Sequence, residues 1–156
     1  MNDYDIKIKG ECDVTFFGTD DNTIVVPATV KFDTDCKKAD IEISETNPVK
    51  IGIPSRAEKV EIEIKESRLK MSNLTAEQFE IDGKGTIVVD IENITGSIEI
   101  NMIGGSAVIR VPSDYSFKAE NRGRNTEIEN ELTSDDNASN RIELNGKDSV
   151  LKIVAK

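Results

Sequence analysis

Thirty acidic side chains and no histidine confine any chemistry in this 156-residue chain to its carboxylates. Without histidine there is no Ser-His-Asp or Cys-His nucleophile and no His-ligated metal centre. Paired acids can cleave polysaccharides, one carboxyl protonating the leaving oxygen while the other attacks or activates water. The closest pairs are Asp20-Asp21, Asp33 with Asp35, and Asp135-Asp136, within "GTDDNT", "FDTDC" and "TSDDNAS". These are turn contexts, where Asp commonly accepts hydrogen bonds from its own backbone. The same turns match neither an EF-hand loop nor a glycine-aspartate calcium nonapeptide, so the expectation is no cofactor and at most a weak Ca2+ site. "GKGT" (83–86) and "IGGS" (103–106) lack the spacing and following helix of a phosphate cradle and read as turns. Cys12 and Cys36 make a poor zinc site on their own; buried free thiols are the favoured reading over a disulfide, because a chain this long needs no cross-link. No catalytic residue is assigned, and the chain reads as a non-enzyme.

The elements that would carry such side chains repeat. "KVEIEI" (59–64), "QFEIDG" (78–83), "SIEINM" (97–102) and "SFKAEN" (116–121) recur about every 19 residues. Val60, Phe79, Ile98 and Phe117 fall in register, as do Ile62, Ile81, Ile100 and Ala119, each flanked by polar residues that a strand turns to its other face. Between them runs a second series, Leu69 and Met71, Val89 and Ile91, Ile109 and Val111. Turn formers separate the two: Ser72-Asn73, Gly83-Lys84-Gly85, Asn93, Gly96 and Gly104-Gly105. The pattern predicts one all-β domain over 1–156, a β-solenoid with two strands per coil of about 19 to 20 residues, with a β-sandwich as the alternative. Further strands are expected at Tyr4–Lys9, Val14–Phe17, Thr23–Val26, Thr29–Phe32, Asp40–Ile43, Thr126–Glu129, Arg141–Leu144 and Val150–Val154. The alternation of Lys7 and Lys9 with Ile6 and Ile8, and Lys152 between Leu151 and Ile153, suggests charged edge strands that resist end-to-end pairing.

Stacked by this period, the outward residues form ladders. Lys70, Asp90, Arg110 and Glu129 alternate in sign, which favours the register. The other face is an acidic stripe: Glu61, Glu80 and Glu99 in one row, Glu63, Asp82 and Asn101 beside it, with Lys118 and Glu120 extending the two rows. Carboxylates on adjacent rungs, about 4.8 Å apart, repel by roughly 0.9 kcal/mol in water. The stripe is therefore a candidate surface for a basic protein segment or for cations, against the plainer reading of a solvated acidic face. The polar insertion at 129–140, with Ser134, Asp135, Asp136 and Asn137 at its centre, is the second candidate, since insertions in repeat folds project as loops.

A net charge of −10 and a pI near 4.6 disfavour nucleic acid and anionic lipid, which need clustered Lys and Arg. No apolar stretch approaches a membrane helix, so no direct membrane insertion is expected. "MNDYDIKIKG" lacks the basic-then-apolar pattern of a signal peptide, which as written points to the cytoplasm; the envelope or exterior follows if a leader has been removed.

The segments "IKGECDVTFFGTDDNTIVV", "VKIGIPSRAEKVEIEI", "GTIVVDIENITGSIEINMIGGSAVIRVPSDYSF" and "NRIELNGKDSVLKIVAK" together resemble the putative-adhesin family of bacterial β-strand-repeat, toastrack-like domains over most of the chain. The resemblance implies a right-handed β-helix-like fold and a binding or sensing role at the bacterial cell envelope, with no catalytic residues to carry over; the ligand, protein or glycan, is not specified by it. The other readings are a structural module that assembles by stacking its solenoid ends, and third a carboxylate-based polysaccharide-acting enzyme.

Overall fold

The computed structural model describes residues 3–8, 11–21, 23–35, 38–44 and 46–156. Among them are thirteen β-strands and no helix, joined in one mostly parallel sheet that does not close on itself. Alternating Ile and Val drive this outcome, since branched side chains fit the pleat and every second one can be buried.

Two central strands run through both of the expected series. β7 (Arg68–Lys84) and β8 (Thr86–Ile103) pair through Leu69↔Val89 and Met71↔Ile91 in their first halves, and through Phe79↔Ile98 and Ile81↔Ile100 in their second. The register shifts between Thr75 and Gln78. The expected registers therefore form, but as continuous strands that turn a corner. Asn73 and Asn93 make that corner in the left-handed region, φ 55° each, and the Asn93 Nδ2 donates to Asn73 Oδ1 at 2.7 Å. At Gly96, φ 134°, a Cβ would sit 2.0 Å from the Ala76 carbonyl oxygen, so no larger residue fits.

From this centre two rows of parallel strands extend. One row holds the second halves of β7 and β8, then on the N-terminal side β6 (Arg56–Lys65), β1 (Asp3–Ile8) and β4 (Lys38–Ile43), with β3 (Lys31–Thr34) antiparallel to β4 at the end. The other row holds their first halves, then β2 (Val14–Thr19) and β5 (Val49–Pro54). Beyond β8 lie β12 (Arg141–Lys147) and then β10 (Lys118–Asn121) in the first row, and β9 (Ser106–Val111), β13 (Val150–Ala155) and β11 (Glu127–Asn130) in the second. Inward side chains of both rows form one apolar core.

Chain order and stacking order part company at both ends. The last two strands, β12 and β13, lie between the 97–111 segment and the 118–130 segment, and the first two, β1 and β2, lie inside β4 and β5. At the C-terminal end burial explains the exchange. Ile142, Leu144, Leu151 and Ile153 are completely buried, whereas Ala119 and Ile128 of β10 and β11 are only partly covered. There the strands with two large inward residues take the internal positions and those with a thinner apolar face serve as lids, whereas at the N-terminal end the outer β4 and β5 bury Ile41, Ile43, Ile51 and Ile53 as fully as the inner strands bury theirs. This corrects two expectations. The strands carrying Lys7 and Lys152 are internal rather than edges, with Lys9 outside the described residues, and Phe117 and Ala119 do not stack on Ile98 and Ile100, because Ile142 and Leu144 intervene. The Thr23–Val26 segment is not a strand. It contributes one antiparallel bridge, Val25 to Gly52, with N–H···O distances of 2.9 and 2.8 Å, that covers the outer edge of β5. Cys12 is buried, and Cys36 lies outside the described residues.

The stacking order predicts a mutational asymmetry. Leu144→Ala, inside the stack, should cost about 2–5 kcal/mol in urea unfolding, and Ile128→Ala in the terminal lid distinctly less. Equal losses at the two sites would contradict the stacking order of the last strands.

Candidate functional site

The outward face of the first row is a single ladder of carboxylates longer than the sequence period reveals. Strand pairing aligns Asp33, Asp40, Asp5, Glu61, Glu80, Glu99, Glu143 and Glu120, eight acids on eight successive strands. Like charges directly opposite one another oppose pairing, so the fold must neutralise them. It does so from a flanking row two residues back along the strands. Lys38 Nζ reaches Asp5 at 3.0 Å and Asp40 at 3.8 Å. Lys59 Nζ bridges Glu61 at 2.7 Å and Glu80 at 2.6 Å, and both contacts hold the lysine above its ordinary pKa. At the far end Arg122 spans Glu120 and Glu143, at 3.1 and 2.9 Å, while Lys118 and Arg141 approach Glu120 at 3.5 and 3.8 Å. Burial alone would raise Glu120; Arg141, Arg122 and Lys118 outweigh it and hold the carboxyl below its usual range.

The middle of the flanking row carries no base. Its members at the β7 and β8 rungs are Gln78 and Ser97, and the carboxylate beside them, Glu99, is held only by amides, those of Gln78 and Asn145. Burial, then repulsion from Glu80, pushes the Glu99 carboxyl above its ordinary value, the Asn145 hydrogen bond opposing them. A recess of about 280 Å³ opens here, lined by Gln78, Ser97, Glu99, Ser139, Arg141 and Glu143 among others. Glu61 is also raised, first by a hydrogen bond shared with Asp5 and against the pull of Lys59.

The second predicted row assembles as Glu63, Asp82 and Asn101, then Asn145. Asn101 Nδ2 donates to Asp82 Oδ1 at 2.9 Å and to Glu80 Oε1 at 3.2 Å, tying the two rows together. All six predicted stripe residues thus share one face. Their extension is corrected: Glu120 continues the first row only beyond Glu143, Lys118 falls in the flanking basic row beside Arg141, and Asn145 continues the second, because β12 intercalates. The same intercalation changes the opposite face. Lys70, Asp90 and Arg110 align as expected, with Arg110 3.3 Å from Asp90, but Val154 follows Arg110 and Glu129 sits opposite Lys152.

The predicted loop is tied to the edge of the fold by hydrogen bonds while its side chains stay exposed. Ser134 Oγ accepts from the Ala119 N–H at 3.0 Å, the Asp135 N–H donates to the Phe117 carbonyl at 2.9 Å, and the Asp135 carboxylate accepts from the Asn137 N–H at 2.9 Å. Residues 134 and 135 therefore cover the outer edge of β10, and all four candidates, Ser134, Asp135, Asp136 and Asn137, are exposed. Asp5, Asp33, Asp40 and Glu143 were missed as ladder members; they belong to the strands that leave the simple repeat. Among the described residues, no cluster of three or more Asp, Glu or Cys side chains is arranged to hold a metal ion.

No protein-family model matches the chain, and no curated protein matches it either. Among solved structures, the chain is similar to a putative cell adhesion protein from Clostridium sporogenes. The TM-score is 0.60 at 12% identity, over 99% of this chain and 93% of that one. At that identity the likeness is one of fold.

The raised carboxyls give the stability a defined pH dependence. Between the ordinary and the raised pKa the native state binds more protons than the unfolded chain, so stability grows as pH falls through the raised values of Glu61 and Glu99 and is lost as pH rises through them. Glu120 and Asp21, held low, act oppositely: their contribution is present above their ordinary pKa and fades as pH falls through the lowered one. The thermal midpoint should therefore rise from pH 7 toward the upper carboxylate range and drop in stronger acid. Glu99→Gln should flatten the rise, and a monotonic fall from neutrality would refute this account.

Proposed function

We propose that the chain is a non-catalytic, adhesin-like binding module of the bacterial cell envelope, wound as a right-handed β-helix-like solenoid, whose acidic face takes a basic segment of a partner protein. The parallel registers and the approximately 19-residue spacing of the core rows support the solenoid reading. The likeness of fold to the clostridial protein, described as a putative cell adhesion protein, supports the adhesin-like reading.

The observation that carries the partner is the interrupted row of bases. Lys38 and Lys59 neutralise one end of the carboxylate ladder, Arg141, Lys118 and Arg122 the other, and Gln78 and Ser97 leave the centre to Glu99. A Lys or Arg from a partner, seated in the recess, completes the series and relieves the repulsion that, after burial, raises Glu99. Most of the other ladder acids already have intramolecular counter-ions, so the site is narrower than the whole stripe.

An Arg- and Lys-rich extended peptide should bind with an affinity that falls with salt. Charge reversal at Glu80 and Glu99 should abolish binding, and Ser97→Lys, which supplies the missing base from within, should weaken it about tenfold or more. Isothermal titration of the folded variants reads all three. Undiminished binding by both variants would sink the proposal.

A further inference from the structure

Two residues beyond the acidic row, where the strands of this face reach their C-terminal corner, the outward positions change sign. Lys65 aligns with Lys84, the next rung carries Ile103, Ile103 aligns with Lys147, and Lys147 bridges to Arg124. Five rungs at about 4.8 Å give a row roughly 19 Å long, with four cations and one exposed isoleucine. All four are exposed, and among the described residues none makes an ion pair. In a protein of net charge −10, four exposed cations on one row set it apart from the acidic row beside it on the same face. Ile103 is 75% exposed, the most exposed large apolar side chain among the described residues. Lys65, Lys84 and Ile103 of this row form one wall of an open groove of about 990 Å³, whose floor includes Ile64, Gly83 and Met102 and whose opposite wall is Glu63, Asp82 and Asn101; Lys147 and Arg124 continue the row beyond it.

We infer that this groove binds an extended strand of an acidic polysaccharide. Its negative groups would pair with the cation row, its ring hydroxyls would donate to the carboxylates of Glu63 and Asp82 and to the Asn101 side chain, and its C–H faces would lie on Ile103. Three kinds of surface in one groove distinguish this ligand from other polyanions. A polyanion with few hydroxyl donors, such as an acidic peptide, brings its carboxylates against Glu63 and Asp82 with little to offer them. A neutral glycan leaves the cations without partners. The inference is independent of the basic-segment site, which lies at Glu99.

The test is titration of the full chain at low salt with polygalacturonate, dextran sulfate, polyglutamate and uncharged dextran. At least one acidic glycan should bind ten times or more tightly than both polyglutamate and dextran, with an affinity that falls as salt is raised. Lys65→Glu with Lys84→Glu, and separately Ile103→Ser, should each weaken it at least tenfold while the thermal midpoint shows the variants folded; Lys50→Glu, on the other row, should bind as the parent does. No binding of either acidic glycan, equal binding of polyglutamate, or full binding by the Lys65/Lys84 variant would each overturn the inference.

Discussion

Everything in this molecule depends on a rung finding apolar neighbours on both sides. A single strand pair with two inward Ile residues cannot exclude water from them; the same pair set between two others buries them completely, as at Ile62, Ile81 and Ile100. The requirement fails at the ends of any stack, where the outermost rung has a neighbour on one side only. The protein answers by putting weak apolar faces at three of the four ends, β3, β10 and β11, and by changing the geometry of the edge. β3 reverses direction against β4, Val25 bridges β5, and residues 134 and 135 lie over β10. Each device satisfies strand-edge groups that would otherwise be open to pairing.

Register has an electrostatic consequence that the core alone would not predict. Once inward residues are aligned, outward residues align as well, and eight acids come to stand in one line. The fold tolerates this because a second line, offset by two residues, supplies Lys38, Lys59, Arg141 and Lys118. Exposed pairs contribute little singly, but a shared cation such as Lys59, bridging two carboxylates, relieves repulsion on both rungs at once. Where that line lapses to Gln78 and Ser97, amides substitute for cations, and they stabilise Glu99 less well than a charge would. Burial, then repulsion from Glu80, raises its carboxyl, and the Asn145 amide opposes them only in part.

The centre of the fold was legible in the sequence because the repeat there is local. Phe79, Ile98, Ile81 and Ile100 follow one another at a constant interval, and their pairing is the one the interval implies. The ends were not legible, because intercalation is decided by competition between distant segments for the same position. Phe117 and Ala119 carry the periodic signal, yet Ile142 and Leu144 take the place beside Ile98 and Ile100. An alanine in one inward position against a leucine in the other settles that contest, and a reading by period alone gives it no weight. The same displacement hid Asp5, Asp40 and Glu143, whose neighbours in the ladder are 56, 35 and 44 residues away in sequence at Glu61, Asp5 and Glu99.

The two charged rows on this face follow from one geometric fact. In a strand, residues two apart point the same way, so the triplet that places Glu63 on one side of Ile64 places Lys65 on the other, and the triplet around Gly83 does the same with Asp82 and Lys84. Stacking then converts a charge pattern along each strand into lines of opposite charge across the sheet. At the next rung the triplet reads Asn101, Met102, Ile103, and both lines lose their charge together. Solubility alone does not call for an exposed isoleucine between two cations, since a charged residue there would serve it better. The apolar interruption lies at the centre of the row, with Lys65 and Lys84 before it and Lys147 and Arg124 after it, which is the arrangement expected where charge orients a ligand and an apolar contact holds it.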